Sequence, residues 1–279
     1  MAIRIVTDST CDLPAEVAER YGILVVPMYI HVDGRSYLDV VELSRQDFYA
    51  ELPRYTAPPQ TSAPGPEMLV QMYEGLAAEG ATEILSIHVA SSLSSFVNAA
   101  RVAARSTRGA RVTVFDSGQL SLGGGLLALA AARAVANGCT LDEVVTLIEK
   151  KAHRTFSFAI LNTLEYLRRS GRATALQAGV GTLLRVKPLI SIHDNTLTME
   201  RPRTTHRAIA RMAEHIAALP PLEEYALVHT HAPDKARELG QHLQDLLPRQ
   251  EDVFCVDVTP AIGTHLGPDG IGIICVTSP

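Results

Sequence analysis

"EILSIHVASSLSSFVNAARVAARS" (83–106) reads as one β-α unit, and the fold class follows from it. The first eight residues make a short, mostly apolar run, the pattern of a strand buried on both faces. Four serines, Ser91, Ser92, Ser94 and Ser95, then form the entry to a helix. Similar units recur around it. "IRIVTD" (3–8) leads into "LPAEVAERYG" (13–22), with Pro14 near the first turn and Gly22 at the stop. "RVTVFDSG" (111–118) leads into "LGGGLLALAAARAVANG" (122–138), closed by Asn137-Gly138. Between them, "ILVVPMYIHVDG" (23–34) reads as a strand ending in an Asp33-Gly34 turn. "SRQDFYAELPRY" (44–55) starts a helix at an N-cap, Ser44, and "PEMLVQMYEGLAAEG" (66–80) another with Pro66 in its first turn.

Strand–helix alternation of this kind predicts an N-terminal three-layer α/β/α domain with a mainly parallel sheet, over residues 1–154. From residue 155 the strands follow one another more closely: "FSFAILN", "LLRVKPLISIHDNTLTM", "YALVHTHA", "DVFCVDVT" and "GIGIICV", with a turn at Asp194-Asn195. These predict a C-terminal two-layer α/β domain with a mixed sheet, over residues 155–279.

The chain has 279 residues and is 47% hydrophobic, yet 5% aromatic with no Trp, so an aliphatic interior is expected. A net charge of −5 argues against nonspecific binding to nucleic acid or an anionic membrane. The charge is uneven. Residues 166–211 hold nine Arg and Lys against Asp194 and Glu200. Such a run is either a solvated face or a surface for phosphate or an acidic partner. Cys11, Cys139, Cys255 and Cys275 show no CxxC or Cys/His spacing and read as free thiols of a reducing compartment. With neither a signal-like start nor an apolar run of about 18 residues, the chain reads as cytoplasmic, without stable membrane insertion.

No G-x-x-x-x-G-K-[ST], G-x-G-x-x-G or G-x-S-x-G occurs, which disfavours nucleotide binding and serine-hydrolase chemistry. His229 and His231 share a strand face, but no carboxylate lies at ligand spacing, so no metal is expected. The Gly123-Gly124-Gly125 run fits close helix packing better than a ligand. What remains is a set of hydroxyls. Three strands empty into Asp8-Ser9-Thr10, Ser91–Ser95 and Asp116-Ser117, and open α/β sheets bind ligands at the carboxyl ends of their strands. The proline-rich "TAPPQTSAPGPE" (56–67) reads as a rigid loop that places Thr61 and Ser62 at the same edge. Hydroxyls at helix starts suit an anion or a carboxylate. "VTPAIGTHLGPDGIGI" (258–273) reads as a tight, glycine-rich loop around His265.

Taken in order, "IVTDSTCDLP" (5–14), "TSAPGP" (61–66), "SSLSSFVNAA" (91–100), "VFDSGQLSLGGGLL" (114–127), "LEYLRRSGRAT" (164–174), "LLRVKPLIS" (183–191), "RPRTTHRAI" (201–209) and "GTHLGPDGIGI" (263–273) resemble the DegV family of bacterial fatty-acid-binding proteins. The resemblance implies a two-domain fold with a long-chain fatty acid, such as palmitate or oleate, buried between the domains. It implies a carboxylate held by Thr61 and Ser94 with Ser62 adjacent, and Arg172, Arg203 and His265 at the head group or in partner docking. It further implies a carrier without catalytic residues or cofactor, which presents the acid to a separate ATP-binding fatty acid kinase subunit for acyl phosphate formation. The family's "TSQPSP" is "TSAPGP" here and its "LSGTY" is "LSSFV". The alternative is an enzyme in its own right or the substrate subunit of a dihydroxyacetone-kinase-like phosphotransfer system, whose fold is shared and in which His265 or His231 would tether a small ketone. A sensor of acyl supply is not separable from a carrier by sequence.

Overall fold

In the computed structural model, which describes residues 2–172 and 186–279, the chain runs β1 (Ile3–Asp8), α1 (Ala15–Arg20), β2 (Leu24–Val26), β3 (Tyr29–Val32), β4 (Arg35–Leu38), α2 (Arg45–Glu51), β5 (Gln60–Ser62), α3 (Pro66–Ala78), β6 (Glu83–His88), α4 (Phe96–Ser106), β7 (Arg111–Asp116), α5 (Leu122–Ala136) and α6 (Leu141–Ala152). It continues through β8 (Thr155–Ile160), α7 (Glu165–Arg169), β9 (Leu189–His193), β10 (Thr196–Glu200), α8 (Thr205–Ala217), β11 (Leu222–His229), α9 (Pro233–Leu243), β12 (Cys255–Asp257), α10 (Pro260–Leu266) and β13 (Ile271–Thr277). Arg185 of the basic run, and parts of the segments 164–174 and 183–191, lie outside the described residues.

The expected parallel sheet has the order β2-β1-β6-β7 with every pair parallel, so its four carboxyl ends share one edge. The expected mixed sheet has the order β10-β9-β8-β13-β11-β12, in which only β11 and β12 run parallel among the described pairs. Its β9–β10 hairpin turns at Asp194-Asn195, both at positive φ (46° and 60°), a conformation these two residue types tolerate.

Three readings need correction. "ILVVPMYIHVDG" is not one strand. It breaks at Pro27, which has no N–H for a ladder, leaving β2 in the parallel sheet and β3 in a separate antiparallel sheet of order β4-β3-β5. β5 is the middle of "TAPPQTSAPGPE": the prolines flank residues 60–62, whose backbone stays free to pair with β3, so the expected loop contains a strand. Likewise "VTPAIGTHLGPDGIGI" contains α10, opened by Pro260 in its first turn and ended by Gly267 at φ 71°. A Cβ at Gly267 would lie 2.1 Å from Cδ2 of Tyr166, so this stop tolerates no side chain.

Helix α5 is apolar on nearly every side because it lies between layers, packed on β1 and β6 and also touching β8. Its glycines serve that packing: a Cβ at Gly125 would sit 2.4 Å from the carbonyl oxygen of Cys11. One core therefore joins Val6, Ile84 and Leu127 to Val228 and Ile274 of the mixed sheet. A second lies between that sheet and α8 and α9, around Phe158, Met212 and Leu239. Among the described residues no helix is long and apolar enough to cross a membrane.

Candidate functional site

The carboxyl edge of the parallel sheet, β5, α10 and the β9–β10 hairpin surround a cavity of about 130 Å³. Of the three hydroxyl-rich turns expected to converge, two reach it, through Thr10, Ser94 and Ser95, and Thr61 joins them from β5; Ser117 is buried against Gln119 and does not border the cavity. Most of the wall is aliphatic. Ile190 and Ile192 alternate along β9, Leu197 follows on β10, and Leu93 and Leu120 face them. The hairpin is anchored to the sheet edge. Asn195 N donates to the carbonyl of Gly118 at 3.2 Å, and its Nδ2 donates to Asp116 Oδ2 at 3.2 Å. Asp116 Oδ1 also accepts from the N–H groups of Ser91 and Gly118, so this strand-end aspartate builds the edge and is not free for a ligand.

Besides exposed Ser95, two hydroxyls of the described residues are available to the cavity. Ser94 Oγ accepts from Phe96 N at 3.2 Å, which leaves its own proton uncommitted. Thr61 Oγ1 lies 2.9 Å from Nε2 of His265. Burial, and then the Arg172 charge, push the His265 pKa down to about 4, so the ring is neutral at pH 7. Its Nδ1 is buried and has no partner among the described residues. An orphaned ring lone pair is tolerated better than an orphaned N–H, which assigns the proton to Nε2. Nε2–H then donates to Thr61, and the Thr61 hydroxyl is left to donate into the cavity. Arg172 supplies the positive charge at this end; its side chain lines the cavity while Nη1 donates to the carbonyl of Ser170 at 3.0 Å. Neutral donors beside one cation are the equipment for an anionic head group in an otherwise apolar space.

The structure thus brings Thr61, Ser94, Arg172 and His265 together. Ser62 borders the same cavity, but its Oγ is 2.8 Å from Nε2 of His31, whose Nδ1 meets Ser36 at 2.8 Å. Arg203 is exposed just ahead of α8 and does not border the cavity. His229 and His231 turn out to have a carboxylate after all, since strand pairing carries Asp257 to them, 3.4 Å and 3.5 Å from their Nδ1 atoms. Burial lowers the His229 pKa, but Asp257 and Cys255 outweigh it and bring it to about 9, the behaviour of an ion pair. Among the described residues no group of three or more ligating side chains is arranged to hold a metal ion.

One constellation is not legible in the sequence. Ser86 Oγ lies 2.7 Å from His88 Nε2, and His88 Nδ1 lies 3.0 Å from Asp8 Oδ2, in the order of a hydrolase triad. All three are buried, and Tyr73 Oη closes on Ser86 at 2.8 Å. Asp8 also accepts from Val89 N and from Thr10 Oγ1. No substrate reaches this serine; the chain of bonds ties β1 to β6 and orients Thr10 at the cavity. Alternation along β6 puts Ser86 and His88 on one face, but only pairing with β1 adds Asp8.

The family model described as "Uncharacterised protein, DegV family" matches residues 2–278. A DegV domain-containing protein of Streptomyces coelicolor is 38% identical over 275 residues, 98% of this chain and 97% of that one. Among solved structures, one described as "Fatty Acid Binding of a DegV family Protein from Thermus thermophilus" superposes with a TM-score of 0.89 at 31% identity, covering 100% of both chains. "DegV, a fatty acid binding protein from Bacillus subtilis" does so with a TM-score of 0.86 at 29% identity, over 99% of this chain and 100% of that one. With its parallel and mixed sheets in the same arrangement and the family's pattern along its whole length, the chain belongs to the DegV family.

Proposed function

We propose that this protein binds a long-chain fatty acid in the cavity, with the carboxylate at Thr61 and Ser94 and the alkyl chain against the β9–β10 hairpin. The observation that carries this reading is the pairing of an aliphatic wall with two hydroxyls whose protons are uncommitted, beside Arg172. The fatty-acid ligands of the Thermus and Bacillus relatives support it. A sixteen-carbon chain removes about fourteen methylenes from water at roughly 0.8 kcal/mol each, on the order of 11 kcal/mol before ordering costs. The carboxylate opposes entry unless its oxygens are satisfied, which is the task of the hydroxyls. In this reading residues 1–154 and 155–279 are two domains with the acid between them. The protein is a carrier, without catalytic residue or cofactor. A small polar ketone would leave the aliphatic wall without a counterpart, which disfavours the phosphotransfer alternative.

Protein purified from bacteria is expected to carry one equivalent of long-chain fatty acid by mass spectrometry. A lipid-free preparation that takes up neither palmitate nor oleate would sink the reading. The finer role is presentation of the acid to an ATP-binding kinase subunit, with exposed Arg203 in the docking surface. Arg203→Glu is then expected to reduce acyl phosphate formation with such a subunit while the lipid content stays at one equivalent; loss of lipid would place Arg203 in the pocket or the fold instead.

A further inference from the structure

Helix α10 forms the cavity wall with Ala261, Ile262, His265 and Leu266, and its first turn is held by two carboxylates from the far end of the chain. Asp12 Oδ1 accepts from Thr259 N at 2.8 Å, while its Oδ2 accepts from Ser121 Oγ at 2.5 Å. Asp39 Oδ1 accepts from Ala261 N at 3.2 Å, while its Oδ2 accepts from Ser9 Oγ at 2.6 Å. Both aspartates are buried. The turn beside Asp39 is itself costly: Val40 sits at φ 56°, an outlier for a β-branched residue, whereas Asp12 at φ 53° takes a left-handed position that an aspartate tolerates.

The helix they hold is poorly satisfied elsewhere. Among the described residues, the three buried side-chain polar atoms without a partner are Thr259 Oγ1, Thr264 Oγ1 and His265 Nδ1, all in or beside α10. Thr259 Oγ1 lies close enough to Asp39 to influence it, yet outside hydrogen-bonding geometry. Apolar packing seats α10, with Gly263 against Tyr49 and Phe48, and the polar hold on its first turn is the clamp.

We propose that Asp12 and Asp39 are positioning residues for the pocket: through the N–H groups of Thr259 and Ala261 they fix α10, and with it the meeting of His265 with Thr61. The ligand arm of the test rests on the fatty-acid reading; the clamp itself does not.

Ionised carboxylates make the stronger bonds to N–H groups, so protonation loosens the clamp. Burial pushes Asp12 up to about 7 and Asp39 up to about 6, with Arg45 and the hydroxyl and N–H partners pulling the other way. The groups facing them are Arg45 and Tyr49 of α2, Asp8 and Cys11 beside β1, and Asp257 with its partners His229 and His231; on α10 itself is His265, with Arg172 beyond it. Arg45 Nη2 lies 4.0 Å from Asp12, and its Nε donates to the carbonyl of Asp257 at 2.8 Å.

The sign separates positioning from mere structure. Folded-state pKa values raised above the unfolded value of 3.8 favour folding at low pH, and that contribution is lost as pH rises through about 6 to 7. A purely structural pair therefore predicts that α10 tightens with the rest of the protein in acid. A clamp predicts that α10 loosens while global stability rises, because parting of α10 takes the N–H donors away from carboxylates that Ser9 and Ser121 keep in the interior, and a buried carboxylate short of donors binds its proton more tightly still.

Hydrogen-exchange protection of the amides of Thr259 and Ala261, measured in lipid-free wild-type protein between pH 8 and pH 5.5, is expected to fall relative to the core strands. Release of bound oleate to acceptor vesicles is expected to speed up about tenfold over the same range. Asp12→Asn and Asp39→Asn keep an acceptor for each N–H and are expected to flatten both profiles. His231→Gln, which removes a partner of Asp257, is expected to leave them in place. Protection that follows the core in wild type, an unchanged slope in both Asn variants, or a slope abolished by His231→Gln would overturn the proposal. If oleate never binds, the fatty-acid reading fails, and the exchange experiment still decides the clamp.

Discussion

Two histidines, buried His88 at the end of β6 and half-buried His265 in the last turn of α10, each sit against a hydroxyl, and their surroundings differ in one respect. His88 is saturated: Ser86 and Asp8 take both ring nitrogens, and Phe96 stacks on its face at 4.3 Å. His265 has Thr61 on one nitrogen and, among the described residues, nothing on the other, and it borders a cavity. The arrangement that looks like a catalytic triad is the structural one, and the incomplete one marks the site. Buried polar groups that are fully paired specify the fold; those left short are where a ligand has something to complete.

Breaking the saturated histidine is expected to have the largest effect. His88→Ala removes one buried partner from Asp8 and one from Ser86 and leaves a cavity beside Phe96, at a cost of about 3–4 kcal/mol of stability. In a chain of this size that lowers the melting temperature by roughly 10 °C. Calorimetry measures it, and fatty-acid stoichiometry per folded molecule is expected to stay near one. A normal melting temperature would mean that the chain from Tyr73 to Thr10 contributes little.

His265 is expected to register in acid. Its folded pKa of about 4 lies below the ordinary 6.5, so the unfolded chain binds the proton more tightly. The stabilising contribution of the neutral ring is complete above pH 6.5 and is lost as pH falls toward 4, by on the order of 3 kcal/mol. His265→Gln retains a donor toward Thr61 without the titration, and urea unfolding from pH 7 to pH 4 is expected to show a shallower decline. Equal declines would place the acid sensitivity elsewhere.

Thr61→Val tests the site without the pH argument. The replacement has nearly the same shape, lacks the hydroxyl, and removes the partner of His265 Nε2. A loss of about 1–3 kcal/mol in binding is expected, read as roughly ten- to hundredfold weaker oleate affinity by titration. Unchanged affinity would move the head group away from β5.

Much of this was readable in the residues. The β-α alternation, the helix cap at Ser44, the helix start at Pro66 and the Asp194-Asn195 hairpin all rest on local chemistry, and the structure has them where that chemistry places them. The hydroxyl turns at the strand ends were equally visible, because a parallel sheet forces its carboxyl ends to one side. What was hidden depends on pairing across the chain. Nothing near Asp39 in sequence indicates that it accepts a bond from Ala261, 222 residues away. The same holds for Asp8 with His88, and for Asp257 with His229. The helix around His265 was obscured for a different reason: its glycines resemble a loop, although Gly263 is there to clear Tyr49, whose Oη would lie 2.5 Å from an added Cβ.

Adjacent Thr61 and Ser62 bring the same contrast down to two neighbouring hydroxyls, and the expected effect is the smallest. In a loop both could turn toward one ligand. In β5 successive side chains leave opposite faces, and here Thr61 goes to His265 and the cavity while Ser62 goes to His31 on the exposed side. The His31–Ser62 bond is open to water, which replaces it at little cost. Ser62→Ala is therefore expected to shift oleate affinity less than about threefold and stability by less than about 0.5 kcal/mol. Should Ser62→Ala match Thr61→Val, the alternation in β5 would not be what selects the anchoring hydroxyl, and the bound state would have to reorganise the strand to let both residues in.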